Sequence, residues 1–132
     1  MSRVDYSYDL DNWSYIRWRG AVNSAIKGKR GQAFFKALLQ ALDAMKEKML
    51  IAKELESDGQ FCALGVIGNA RKIDMSRIGI ADFNKISNEL DIAEALAMEV
   101  AFMNDEDCSA SEKPEERWVR MRRWVGAQIV TV

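Results

Sequence analysis

Hydrophobic positions recur every three or four residues along most of the chain, which is the period of an amphipathic helix. The first stripe predicts a helix over Trp13–Lys27, with Asn12 available as its N-cap. Its expected buried face is Tyr15, Trp18, Val22 and Ile26. A second helix is predicted over Gln32–Lys46, and its expected buried face is Phe35, Leu38, Leu39, Leu42 and Met45. The segment Gly28-Lys29-Arg30-Gly31 separates the two, because glycine readily adopts the left-handed conformation that caps a helix.

The middle of the chain leaves two interpretations open. Residues Met49–Glu56 fit either a continued helix or a short strand, and Ser57-Asp58-Gly59 is typical of a turn. The apolar, glycine-rich segment Phe61–Ala70 favours a short buried helix. The alternative is a β-hairpin across Asp58-Gly59.

Three further helices are predicted in the second half of the chain. Asp82 can cap a short helix through Asn88, and Asp91 is expected to begin another that ends near Met103. Pro114 suits the first turn of a last helix, Pro114–Val125, in which Glu116 and Arg120 are spaced as an i,i+4 pair. Their expected core residues are Ile92, Leu96, Val100, Met103, Trp118, Met121 and Val125. The pattern predicts a mainly α, compact single domain of five to six helices over residues 1–132, with a short hairpin around residues 49–66 as the open alternative.

Length and composition agree with that fold class. A chain of 132 residues that is 48% hydrophobic and 30% charged has the size and composition of one globular domain. Asp5, Asp9 and Asp11 interrupt any signal-like segment, and no apolar run reaches the roughly 18 residues of a membrane span. With two cysteines and no disulfide framework, we expect a cytoplasmic protein that does not enter a membrane.

The chain contains no histidine, which excludes Ser-His and Cys-His triads and the usual zinc sites. The acidic residues 105–107 lack the spacing of an EF-hand, and they suppress the thiolate of the neighbouring Cys108. Cys62 lies in an apolar run and is expected to be a buried small hydrophobe. We therefore expect no catalytic residue, no metal and no cofactor. An enzyme that uses carboxylate or tyrosine chemistry remains an alternative.

Charge is strongly segregated along the chain although its net value is −1. No acidic residue occurs from Asn12 to Leu42, residues 81–116 are mainly acidic, and residues 117–123 are basic again. Such blocks either make the molecule dipolar or pair with each other in the folded state.

Two basic segments are candidate binding sites. The first places cations beside Tyr15 and Trp18 and continues into a helix N-terminus, where backbone N–H groups favour anions. The second is the arginine-rich last helix. The candidate binding residues are Arg17, Arg19, Lys27, Lys29, Arg30, Arg120 and Arg123. The competing interpretation is that these cations pair with the acidic half, and that the last helix pairs locally with Glu112, Glu115 and Glu116.

Three segments carry a resemblance to known proteins. They are WRGAVNSAIKGKRGQAF and its continuation to Met75, IAEALAMEVAFMNDE, and PEERWVRMRRWV. Together they resemble a group of small uncharacterised proteins encoded by tailed phages and prophages of proteobacteria. The resemblance supplies no activity, cofactor or catalytic residue. It implies a phage accessory protein, and such proteins often bind and block a host component, as anti-CRISPR and other anti-defence proteins do.

We therefore expect a non-catalytic binding protein that acts on a host protein or protein complex through its basic and aromatic surface. Direct binding of DNA or RNA is the alternative. A dedicated nucleic-acid domain is usually basic overall, with a pI above about 9, whereas this chain has a pI near 5.6. A homo-oligomer also remains open.

Overall fold

The computed structural model describes residues 12–106 and 110–130. Within them lie six α-helices: α1 (Asn12–Lys27), α2 (Lys29–Ala44), α3 (Ala63–Ala70), α4 (Phe83–Leu90), α5 (Glu94–Asp105) and α6 (Pro114–Gln128). Two short strands, β1 (Glu56–Ser57) and β2 (Gln60–Phe61), pair antiparallel, with Glu56 opposite Phe61. The prediction of a mainly α fold of five to six helices is confirmed.

One hydrophobic core joins these helices. Helix α2 packs against α1, α3 and α6, while α5 packs against α1, α3, α4 and α6. The predicted stripe residues Trp18, Val22 and Ile26 of α1 are buried, as are Leu38 and Leu42 of α2. The predicted core residues of the second half are also buried: Ile92, Leu96, Val100, Met103, Trp118, Met121 and Val125.

Tyr15 corrects the predicted stripe, because 41% of this residue is exposed. It lies one turn before Trp18, and the two ring centroids are 6.2 Å apart. Among the described residues, Trp18 is the aromatic neighbour of Tyr15, and this contact leaves Tyr15 partly exposed. Asn12 is the first residue of α1 rather than its predicted N-cap.

The turn between α1 and α2 is shorter than predicted. Gly28 alone separates the helices, with φ −69° and ψ 166°, so it is extended and not left-handed. Gly31 lies inside α2, where a Cβ atom would come within 1.8 Å of the Ala25 carbonyl oxygen. Glycine is therefore needed here for the close approach of two backbones, and not for a left-handed cap.

The hairpin and the helix that were alternatives in the middle of the chain both exist. The hairpin turns at Asp58 and Gly59, which have φ values of 51° and 76°, and α3 follows it after Cys62. A Cβ atom added at Gly65 of α3 would lie 1.9 Å from the Leu55 carbonyl oxygen. The helix therefore lies directly against the segment before the hairpin.

Helix boundaries in the second half differ where a cap was misassigned. Asp82 caps α4, accepting a hydrogen bond from the Lys85 N–H at 3.2 Å, as predicted. Asp91 does not begin the next helix. It ends α4 in the left-handed conformation, with φ 54° and ψ 51°, and α5 begins at Glu94. Asn and Asp tolerate this conformation better than other non-glycine residues. Aspartate suits both the N-cap and the C-terminal end of a helix, and Asp91 ends α4 and does not cap α5.

Candidate functional site

The outward face of α1 carries the most exposed large apolar residues in the described part of the chain. Trp13 is 73% exposed and Ile16 is 58% exposed. Successive residues of a helix are about 100° apart around its axis. Within about 40° of the line opposite the buried Val22 lie Trp13, Arg17, Gly20, Ser24 and Lys27. This line therefore combines an aromatic ring, small residues and two cations. We call Trp13, Ile16, Arg17, Gly20, Ser24 and Lys27 the α1 outer face.

Arg17 and Lys27 on this face, and Lys29 beyond it, are exposed and form no salt bridge in the part of the chain that the structure describes. Arg17 donates a long hydrogen bond of 3.5 Å from Nη2 to the Ser14 hydroxyl, one turn earlier on the same helix. Lys29 begins α2 directly after the single-residue turn, so it continues the positive charge past the end of α1.

The other predicted cations of this segment are paired with the acidic half of the chain. Arg19 donates to the buried carboxylate of Glu99 on α5 at 2.9 Å, and its guanidinium lies 5.0 Å from the Trp18 ring centroid. Arg30 donates to Asp91 at 3.2 Å, where both side chains are exposed. Among the described residues, the structure thus divides these cations into paired ones, Arg19 and Arg30, and ones without an ion pair, Arg17, Lys27 and Lys29.

The N-terminus of α2 is poorly suited to the anion that its sequence suggests. The virtual Cβ of Gly31 lies 1.8 Å from the Ala25 carbonyl oxygen and 2.9 Å from that of Ile26, so the first turn of α2 contacts the carboxyl end of α1. The negative end of the α1 dipole is therefore adjacent to the positive end of α2, and the two offset each other.

The arginines of α6 hold the fold together rather than facing outward as one cluster. Arg120 donates to both Glu112 carboxylate oxygens at 2.7 and 3.0 Å, and Arg117 approaches Glu112 at 3.3 Å. The predicted pairing of Arg120 with Glu116 is wrong, because Glu116 instead accepts from the Lys113 N–H at 2.9 Å. Arg122 forms a two-bond pair with Asp43, and Arg123 is exposed on a different helix from the α1 outer face.

Asn104 connects this arginine network to the centre of the fold. Its backbone oxygen accepts from Arg117 and Arg120 at 3.1 Å each. Its side chain accepts from the Ala63 N–H at 3.0 Å and donates to the Ile51 carbonyl at 2.9 Å. The buried polar groups therefore satisfy one another. Arg120 is better described as a structural residue than as a ligand clamp.

Cysteine and carboxylate chemistry finds little support among the described residues. Burial raises the pKa of the Cys62 thiol to about 12, which leaves it protonated and unreactive at neutral pH. No group of three carboxylate or thiol side chains within residues 12–106 and 110–130 could hold a metal ion. Asp105 accepts from the Lys53 N–H and from Asn104. Asp107 and Cys108 lie outside the described residues.

A half-open groove of about 540 Å³ lies between the end of α2, the hairpin and α3. Its apolar lining includes Met45, Met49, Phe61 and Val66, and its charged lining residues are Lys46 and Glu47. Sequence periodicity could not reveal this groove, because segments that are distant along the chain form its walls. Its lining contains no nucleophile beside a general base.

Comparisons with protein-family models, with curated proteins and with solved structures find no significant match to this chain. In the described residues, none of the helices combines the length and the apolar character that crossing a membrane requires.

Trp13 and Ile16 are the site residues that the sequence interpretation missed. The signal was present, since at 100° per residue Trp13 lies directly opposite Val22 in the buried stripe of α1 and Ile16 lies about 120° from Val22.

Proposed function

We propose that this protein is a non-catalytic binding protein that docks on a host protein through the α1 outer face together with Lys29. The observation that carries the proposal is the exposure of Trp13 and Ile16 beside Arg17, a cation that no described carboxylate neutralises. Aromatic and arginine side chains are enriched where protein interfaces are strongest. The resemblance to phage-encoded proteins supplies the context, an accessory protein that binds and blocks a component in the host cytoplasm.

Single-stranded nucleic acid is the second candidate ligand. An exposed tryptophan one turn from an arginine can stack on a base while the cation contacts a phosphate. Two features favour a protein partner instead. The aliphatic Ile16 has no such use, and the pI near 5.6 means that the rest of the molecule would repel a polyanion.

The test is affinity capture from a proteobacterial lysate with matched charge variants. The triple variant Arg17→Gln, Lys27→Gln, Lys29→Gln removes the available cations without disturbing a described salt bridge. The control Lys46→Gln, Lys72→Gln, Lys85→Gln removes the same charge from other surfaces. We expect the first variant to lose a captured protein that the wild type and the control retain. Equal capture by all three would contradict the proposed surface.

A further inference from the structure

The α1 outer face is a straight, convex surface with its chemistry arranged along its length. Its apolar anchors, Trp13 and Ile16, lie at the amino end, and Lys27 lies at the carboxyl end, about 21 Å away at 1.5 Å per residue. Arg17 lies next to the anchors. A Cβ at Gly20 would meet nothing within 4 Å, so the middle of this face is both low and open.

We propose that this face binds an acidic amphipathic helix of the partner protein, laid along α1. The inference rests on the proposed function and names the chemistry of its partner. Charge complementarity is the reason for the acidic character, since α1 carries cations at both ends of the face and no acidic residue anywhere along it.

The shape of the face is the reason for a helical partner. A convex helix surface packs best on another helix, with the ridge of one set into a depression of the other. Gly20 provides that depression between Trp13 and Lys27. The partner helix would place apolar side chains over Gly20 and against Trp13 and Ile16, and carboxylates opposite Arg17 and Lys27. An interface of one helix on one helix is small, so we expect micromolar affinity.

The probe is a fluorescein-labelled, lactam-stapled helical peptide of about 18 residues, or five turns, with leucines along one side and glutamates flanking them. Its anisotropy is followed as the full-length protein is added. Two control peptides replace glutamate with lysine or leucine with serine. We expect the first peptide to bind and both control peptides to bind at least about tenfold more weakly, because anchors and charges each contribute.

Protein variants locate the binding on α1. Trp13→Ala with Ile16→Ala should raise the dissociation constant about tenfold or more, and Arg17→Gln with Lys27→Gln should raise it several-fold at low salt. The matched control is Val119→Ala with Val130→Ala, which removes similarly exposed apolar groups elsewhere and should change nothing. Circular dichroism confirms that each variant folds.

Several outcomes would overturn the inference. One is a peptide that binds no better than the lysine control, and another is binding that is insensitive to Trp13 and Ile16. A fluorescent single-stranded oligonucleotide that binds more tightly than the peptide, in a manner dependent on Trp13, would assign the face to nucleic acid. Surface-dependent capture of a host protein without binding of the acidic peptide would preserve the proposed function and reject the acidic helix.

Discussion

Two glycines of neighbouring helices have opposite roles, and the difference shows how much a single missing Cβ can matter. Gly31 permits α2 to contact the last turn of α1, where a methyl group would collide with the Ala25 carbonyl. Gly20 faces open space on the same pair of helices. Both glycines are helical in the structure, so the tertiary contact is what distinguishes them.

Replacing each glycine with alanine should therefore shift stability in opposite directions. We expect Gly31→Ala to lower the free energy of unfolding by about 1–3 kcal/mol, because two backbones must separate to admit the methyl group. Gly20→Ala should raise it by about 0.5–1 kcal/mol, because alanine loses less backbone entropy in a helix. Urea denaturation measures both. Equal effects would mean that α1 and α2 do not meet as described.

Cys62 is the residue whose chemistry is most altered by its surroundings. Desolvation raises the pKa of its thiol to about 12, so the thiol stays protonated at pH 8. In a Cys108→Ser background, we expect a disulfide reagent to leave the native protein unlabelled at pH 8 and to label it at once in concentrated urea. Rapid labelling without denaturant would place Cys62 at the surface.

At the scale of elements, the buried faces of the helices could be predicted from the sequence because helical periodicity is a local property. Trp18, Val22 and Ile26 are buried because their spacing places them on one face of α1. Asp82 caps α4 by accepting a hydrogen bond from a residue three positions away. Pairings between distant segments could not be predicted. Which carboxylate pairs with Arg120 depends on the path of the segment that precedes α6. The i,i+4 spacing alone favoured Glu116, whereas the structure pairs Arg120 with Glu112.

The pairing of Glu112 with Arg117 and Arg120 joins the segment before α6 to the end of α5. All three side chains are buried or nearly so, and the two arginines also donate to the backbone oxygen of Asn104. We expect Glu112→Gln to lower the free energy of unfolding by about 3–5 kcal/mol, because it removes one partner and leaves guanidinium charge uncompensated in a buried site. Chemical denaturation with tryptophan fluorescence measures this loss.

Asp43 provides the matched control, since it forms a comparable two-bond pair with Arg122 at an exposed position. The hydrogen bond from Arg122 holds the pKa of Asp43 below its usual 3.8. A carboxyl group whose pKa is lower in the folded state stabilises the fold at any pH above its pKa in the unfolded state. That contribution disappears as the pH falls through the pKa of the folded state. Asp43→Asn should therefore have a much smaller effect than Glu112→Gln at pH 7, and almost none at strongly acidic pH. Equal losses would mean that Glu112 is solvated.

At the scale of the whole molecule, charge segregation is partly resolved by folding. Arg19 pairs with Glu99 and Arg30 with Asp91, so the basic first third and the acidic later segment do neutralise each other at these contacts. The interpretation of the basic segment as a paired surface is therefore correct for these two residues. Arg17, Lys27 and Lys29 of this segment form no ion pair with another described residue, and the exposed Trp13 lies one turn before Arg17.

The number of cations on the proposed surface limits how strongly that surface can bind a polyanion. Each phosphate neutralised in duplex DNA steepens the logarithmic fall of affinity with salt by about 0.9, so contacts from Arg17, Lys27 and Lys29 allow a slope of about 3 at most. We expect gel-shift titrations between low and moderate salt to show weak binding with no steeper dependence. Capture of a protein partner, anchored by Trp13 and Ile16, should persist at the same salt because apolar contacts are not screened. A much steeper slope accompanied by tight binding would require cations in addition to Arg17, Lys27 and Lys29, and the site would then extend beyond α1 and Lys29 to a nucleic-acid surface.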